Sequence, residues 1–256
     1  MIEIRPVKAL KDNYIWLIGN TTHNRVAIVD PGDAVPILDQ LRDQGLQPLA
    51  ILVTHHHQDH VGGIIELLES YQVPVYGPAG EDIPAITNPL HEGDVVSLEG
   101  IGLELSVLEV PGHTMGALAY HGSDAAFTGD TLFTAGCGRL FEGTPEQLYD
   151  SLEKLYRLPD STMIYCGHEY TLSNLAFAKV VEPDNQAIVH RLYACERLRQ
   201  ENRPTVPATL AEERLTNPFL RTDQPSVRAA ASRHAGYSPE NAVEVLAMLR
   251  NWKDSF

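Results

Sequence analysis

Leu49-Ala50-Ile51-Leu52-Val53 runs directly into Thr54-His55-His56-His57-Gln58-Asp59-His60, and that into Val61-Gly62-Gly63. A short apolar run bounded by such a break predicts a buried strand. The polar cluster then sits at the strand's C-terminal end, where open α/β sheets bind ligands. In extended backbone His55 and His57 point to one side and His56 to the other. Asp59 and His60 follow where the chain turns. Gly62 and Gly63 would let backbone pass close to whatever the imidazoles hold. Crowding these groups without a cation would bring repulsion on protonation and desolvated polar atoms. Neutral imidazole and carboxylate are ligands for zinc and similar divalent ions, so the cluster predicts a metal site.

The chain of 256 residues suits one large domain, or one domain with a small appendage. No apolar run reaches the roughly 18 residues that span a bilayer. The start, Met1-Ile2-Glu3-Ile4-Arg5-Pro6, shows no basic segment followed by an apolar one, so no secretory signal is expected. Cys137, Cys166 and Cys195 are odd in number and far apart, which argues against a disulfide framework and fits a reducing, cytoplasmic location. A net charge of −15 argues against nucleic-acid binding, and no membrane partner is expected. The charge is uneven: residues 1–172 carry −16 and residues 173–256 carry +1. That break coincides with a change of texture.

Strands are predicted over 2–7, 13–18, 26–29, 49–53 and 73–76, with a turn from Gly19 to Asn24 and a helix over Val35–Arg42 ended by Gly45. Ile64–Leu68 reads as helix. Further strands are predicted at 94–98, 101–109, 117–121, 125–128 and 161–166. Thr144-Pro145-Glu146-Gln147 reads as a capping box that opens a helix. After about residue 172 the strands are expected to stop. Helices are predicted over 175–181, 187–201, 210–214, 227–235 and 241–252. Thr209 to Glu212 reads as a second capping box, Ser238-Pro239 as the opening of the last helix, and Pro204-Thr205-Val206-Pro207 as a linker. The pattern is a mixed domain of strands and helices followed by a helical appendage.

Three further polar groups share the strand-end context. Pro111-Gly112-His113-Thr114 follows Leu108-Glu109-Val110, Gly129-Asp130-Thr131 follows Ala125-Ala126-Phe127, and Cys166-Gly167-His168-Glu169 follows Met163-Ile164-Tyr165. With these residues the sequence resembles the metallo-β-lactamase superfamily. His55, His57, Asp59 and His60 match its HxHxDH motif, and His113, Asp130 and His168 match its later ligands. The resemblance implies an α+β fold, a four-layer αββα sandwich with a C-terminal helical domain. It implies that His55, His57 and His113 bind one metal, that Asp59, His60 and His168 bind the other, and that Asp130 bridges them. His23, His56, His91, His121, His190 and His234 receive no metal role.

Gly136–Thr144, Cys166–Thr171, Asn217–Arg221 and Arg250–Lys253, together with the helical appendage, further resemble the glyoxalase II (hydroxyacylglutathione hydrolase) family. That likeness divides the chain into a catalytic domain, 1–172, and a glutathione-side helical domain, 173–256. It implies a small-molecule substrate, a glutathione thioester, bound by Arg139, Tyr170, Arg250 and Lys253, with Arg221 carried over by its segment. Arg139 stands where the family often has lysine, which keeps charge and changes geometry. Phe141 stands where some members have tyrosine.

The chemistry suits the residues. Thioester carbonyls react well with hydroxide, and a catalytic zinc lowers the pKa of its water to about 7. Two divalent metals, zinc first with iron or manganese as alternatives, could share and aim that hydroxide. Asp59 and Asp130 serve as the catalytic carboxylates. The site then stays net positive toward an anionic intermediate. A thiol of pKa about 8.5 leaves without a strong general acid. The implied reaction is hydrolysis of S-(2-hydroxyacyl)glutathione, chiefly S-D-lactoylglutathione, by a monomer. The alternatives are a persulfide dioxygenase, a β-lactamase, a tRNA-processing nuclease, a di-iron redox protein and a metal-stabilised binding protein. The first should not need the appendage. The next three call for a signal sequence, a basic insertion and a flavin domain, none of which is read in this chain. The last would have a site closed by four protein ligands, where seven are expected here.

Overall fold

The computed structural model describes residues 2–20 and 24–256. His23 and the tip of the turn expected before Asn24 lie outside the described residues. The chain divides into two compact units: residues 1–109 with 114–129, and residues 110–113 with 130–256. The change of texture near residue 172 therefore does not coincide with the division between them.

The first unit opens with β1 (Ile2–Ala9), β2 (Asn13–Asn20) and β3 (Arg25–Val29), paired antiparallel. A helix, α1 (Val35–Gln44), carries the chain to β4 (Gln47–Leu52), which lies parallel to β3. Gly45 ends α1 in the left-handed conformation expected of a C-terminal cap. After β4 come a short helical turn, α2 (Gln58–Val61), and α3 (Ile64–Ser70). Two more parallel strands, β5 (Val75–Pro78) and β6 (Asn88–Leu90), complete a mixed sheet in chain order. β6 is not legible in the sequence, because Asn88-Pro89-Leu90 has no strand period. The crossovers make β3 and β4 end side by side, and this places Asp30 next to Thr54.

A second run, β7 (Val95–Leu98), β8 (Leu103–Glu109), β9 (Leu118–Gly122) and β10 (Ala125–Gly129), forms an antiparallel meander. Its last hairpin turns on Ser123 and Asp124, at φ 46° and 60°, the backbone a two-residue hairpin loop requires. The Tyr120 hydroxyl on β9 donates to the Val53 carbonyl at 2.6 Å, and Leu118 N donates to the Thr54 carbonyl at 2.8 Å. These bonds anchor the strand that feeds the histidines. Ile15, Leu17, Ile28, Ile37, Ile51, Val53 and Val75 pack together in one buried cluster.

The second unit contains a small hairpin, β11 (Leu132–Phe133) with β12 (Gly136–Cys137), then α4 (Pro145–Tyr156) and β13 (Met163–Cys166). The rest is mostly helical: α5 (Thr171–Val181), α6 (Gln186–Gln200), α7 (Leu210–Thr216), α8 (Pro225–Ala235) and α9 (Ala242–Asp254). Both expected capping boxes form, at Thr144 with Gln147 and at Thr209 with Glu212.

Three expectations are corrected. A strand follows residue 172, because β14 (Ala208–Thr209) pairs antiparallel with β13. The last helix is opened not by Ser238-Pro239 but by Asn241, whose Oδ1 accepts from Glu244 N at 2.9 Å. The Pro204–Pro207 stretch is no linker: Thr205 N donates to Glu169 Oε2 at 2.9 Å, and Thr205 and Val206 are buried. No described helix is long and apolar enough to cross a membrane.

Candidate metal centre and substrate pocket

In the first unit three of the four HxHxDH residues, His55, Asp59 and His60, are held by partners outside the motif. Asp30 is 4% exposed and accepts from Thr54 N and from the Thr54 hydroxyl, both at 2.7 Å. The same carboxylate lies 3.0 Å from His60 Nδ1. A buried carboxylate here accepts only, so His60 carries its proton on Nδ1 and presents the Nε2 lone pair. The Thr54 hydroxyl has spent its proton on Asp30, so its oxygen accepts from His55 Nδ1, 3.0 Å away. His55 is thereby set to the same tautomer as His60. One carboxylate thus orients two candidate ligands. His55 Nε2 and His57 Nδ1 lie 3.2 Å apart, on one side as alternation requires.

His56 faces elsewhere. Its backbone N and its Nδ1 lie 2.6 and 3.1 Å from Glu81 Oε2. The buried Glu81 carboxylate also accepts from the Thr114 hydroxyl and from Gly116 N, so it ties two loops together. Asn13 donates to Asp59 Oδ2 at 2.9 Å. Gly62 and Gly63 do not adjoin a ligand as expected. A Cβ on Gly63 would lie 2.5 Å from Ala34 N, and one on Gly62 would lie 2.8 Å from the Gly32 carbonyl. Their smallness serves the approach of the 31–34 turn.

In the second unit His113 and His168 both aim Nε2 at Asp130 Oδ2, at 3.6 and 3.2 Å. His113 Nδ1 donates to the Arg139 carbonyl at 2.9 Å, which leaves the Nε2 lone pair facing the carboxylate. Gly138 makes this loop possible, since a Cβ there would lie 1.9 Å from the Asp130 carbonyl. The His168 ring stacks on Tyr170 at 4.6 Å. Cys166 and Cys137 are fully buried, and burial raises their thiols to about 12 and about 11, so both stay protonated at neutral pH.

The donor chemistry fits a divalent cation in each set. His60 Nε2 faces Asp59 Oδ2 at 3.6 Å in the first unit, as His113 Nε2 faces Asp130 Oδ2 in the second. Two acceptors face each other in both places, an arrangement that a divalent cation between them would satisfy.

A cavity of about 390 Å³ in the second unit is lined by His113, Asp130, Arg139, Tyr170, Arg250 and Lys253 among others. Phe141, more than half exposed, adds an apolar edge. Lys253 is held by the Ser173 carbonyl and hydroxyl at 3.2 and 3.0 Å. Partial burial, then the charges of Arg250 and Arg139, push its ammonium down to about 8. Arg250 is largely committed: it is 5% exposed, and its Nη1 donates to the Cys137 carbonyl at 2.7 Å. Arg221 does not line this cavity. Its guanidinium makes a bidentate pair with Glu182 at 2.7 and 3.0 Å, and it borders a different hollow. Arg221 is thus a structural cation, and its carry-over as a substrate contact finds no support in its position.

Asp30, Thr54, Asn13 and Glu81 escaped the sequence reading. Asp30 alone had a legible signal, a carboxylate ending the strand before the histidine strand.

Comparison with known proteins bears on the whole chain. A family model described as metallo-beta-lactamase superfamily matches residues 11–168, and one described as hydroxyacylglutathione hydrolase C-terminus matches residues 169–256. A hydroxyacylglutathione hydrolase of Nitrosomonas europaea is 52% identical over 100% of this chain and 97% of its own length. The crystal structure of ETHE1 from Myxococcus xanthus is 26% identical with a TM-score of 0.68, covering 98% of this chain and 91% of that one. TTHA1623, solved in a di-iron-bound form, is 33% identical with a TM-score of 0.54, covering 64% of this chain and 91% of that one. A strand-rich part that ends at its last candidate ligand and a helical part that begins one residue later are both matched, and the chain belongs to the hydroxyacylglutathione hydrolase family of the metallo-beta-lactamase superfamily.

Proposed function

We propose that this protein hydrolyses the thioester of S-(2-hydroxyacyl)glutathione, with S-D-lactoylglutathione as chief substrate. One observation carries the reading beyond family membership: a single cavity joins candidate metal ligands, His113 and Asp130, to three cationic side chains. A thioester of glutathione needs both ends. Its carbonyl needs activated water, and its two carboxylates need cations.

The proposed ligands are those of the family match. His55, His57 and His113 would hold one divalent ion, Asp59, His60 and His168 the other, and Asp130 both. Zinc is proposed first, with iron or manganese as other occupants. The relative solved with two irons supports a pair of ions. Bound divalent metal supplies the Lewis acidity that makes hydroxide available at neutral pH and stabilises the developing oxyanion. The chain's own residues do the rest. Asp30 and the Arg139 carbonyl keep imidazole protons on Nδ1, so each Nε2 stays a ligand. Arg139 and Lys253 attract the carboxylates of glutathione, and Tyr170, stacked on His168, lines the same cavity. The acidic chain repels an anionic substrate at long range, so these local cations set the capture site.

Steady-state hydrolysis of S-D-lactoylglutathione, with elemental analysis of the same sample, tests the reading. Turnover scaling with metal content, and lost on chelation, is expected. Absence of turnover in protein holding divalent metal would overturn it.

A further inference from the structure

The cation cluster of the pocket already holds a carboxylate. Asp254 Oδ1 lies 3.2 Å from Arg139 Nε and 3.1 Å from Arg250 Nη2. Asp254 is the last residue of α9 and does not line the cavity. Its side chain is 38% exposed and that of Arg139 is 59% exposed, so this end of the contact is open to solvent. Arg250, by contrast, is buried and bonded to the 137–138 loop.

Local stability does not account for an acid at this place. A carboxylate in the last turn of a helix opposes the macrodipole, which favours cations there. The Arg250–Asp254 pair, base before acid at i and i+4, also has the less favourable orientation. Arg139 belongs to the loop after β12, remote in sequence from α9, so helix formation gains nothing from that pair. What the position does is present one carboxylate oxygen to two guanidinium groups that line a pocket read as binding a ligand's carboxylates.

We propose that Asp254 is an internal stand-in for the substrate's carboxylate, which the bound glutathione moiety displaces from Arg139. This inference rests on the glutathione-thioester reading above and deepens it. Asp254 then lowers affinity for substrate and product alike. Neutralising it releases Arg139 to the ligand. A strut that merely holds Arg139 in place would give the opposite sign, because its removal would scatter the cation and weaken binding.

The test is glutathione binding by titration calorimetry, with KM for S-D-lactoylglutathione, in wild type, Asp254→Asn and Asp254→Ala. Work at pH 6.5 keeps Lys253 charged in all three, since losing the nearby carboxylate also lowers that ammonium's pKa. Both substitutions are expected to tighten glutathione and lower KM by about three- to fivefold, the range of partly exposed ion pairs. The gain should shrink at about 1 M salt, where screening is nearly complete at contact range. Unchanged or weaker binding in both variants, with melting temperatures like wild type, overturns the proposal. If wild type itself neither binds glutathione nor cleaves the thioester, it is the underlying functional reading that fails. Because Asn keeps the shape and Ala removes it, agreement between the two separates charge from packing.

Discussion

His60 Nδ1 and Asp30 Oδ2 are 3.0 Å apart in a site where both side chains are almost wholly buried. The same carboxylate takes the Thr54 hydroxyl, which in turn receives His55 Nδ1. One residue outside the ligand motif therefore decides which nitrogen two of its histidines offer. Asp30→Asn replaces one acceptor oxygen by a donor and turns it against a donor. Metal affinity should fall by about 10- to 100-fold with the fold retained, as for other groups behind metal ligands. Competition against a chelator measures it, and unchanged affinity would remove Asp30 from this role.

Asp130 is approached by His113 and His168 and is proposed to hold both ions. Asp130→Ala should lower metal content and abolish most hydrolysis. Elemental analysis returning two metals per chain with near-normal turnover would show the assignment to be wrong.

His56 and His57 are neighbours with different fates. His56 is occupied by Glu81, whereas His57 lies against His55. His56→Ala should keep full metal content and His57→Ala should not. Glu81→Gln sets an amide N–H₂ against a backbone N–H, that of His56 or of Gly116, whichever oxygen it replaces, and should cost about 1–3 kcal/mol of stability. Equal metal loss in the two histidine variants, or a Glu81→Gln protein as stable as wild type, would contradict the arrangement.

Arg250 and Lys253 should separate kinetically. Lys253→Ala removes a solvent-accessible charge and should raise KM for the glutathione thioester by roughly three- to tenfold, with kcat and metal content kept. Arg250→Ala leaves the Cys137 carbonyl without its donor, so it should lower the melting temperature as well as weaken substrate binding. Identical effects of the two substitutions would refute this division.

The Lys253 ammonium at about 8 predicts a pH dependence. Its charged form binds the anionic substrate, so KM should rise as pH passes through 8, and Lys253→Ala should abolish that rise. For stability the sign is reversed. The folded-state value is depressed from 10.5, so the unfolded chain binds more protons between about 8 and 10.5. The penalty of burying the charge is present below 8 and is relieved as pH rises across that window. A KM profile flat from pH 7 to 9 would remove Lys253 from the site.

The strand that delivers the histidines, the alternation that separates His56 from His55 and His57, and both capping boxes are legible in the chain before it folds. These are local matters: side-chain period and helix-end chemistry are properties of adjacent residues. Tertiary structure decided the rest. Asp30 reaches Thr54 only because β3 and β4 run parallel and end together. Glu81 meets His56 and Gly116 only because distant loops converge on it. Arg221 and Arg250 look alike in sequence, yet one is consumed by Glu182 and the other is bonded to a loop carbonyl at the pocket. Gly62 and Gly63 serve a backbone crossing that no local pattern announces. The division into compact units also departs from the change in texture, because a unit is set by which segments bury one another, whereas texture records only which elements they form.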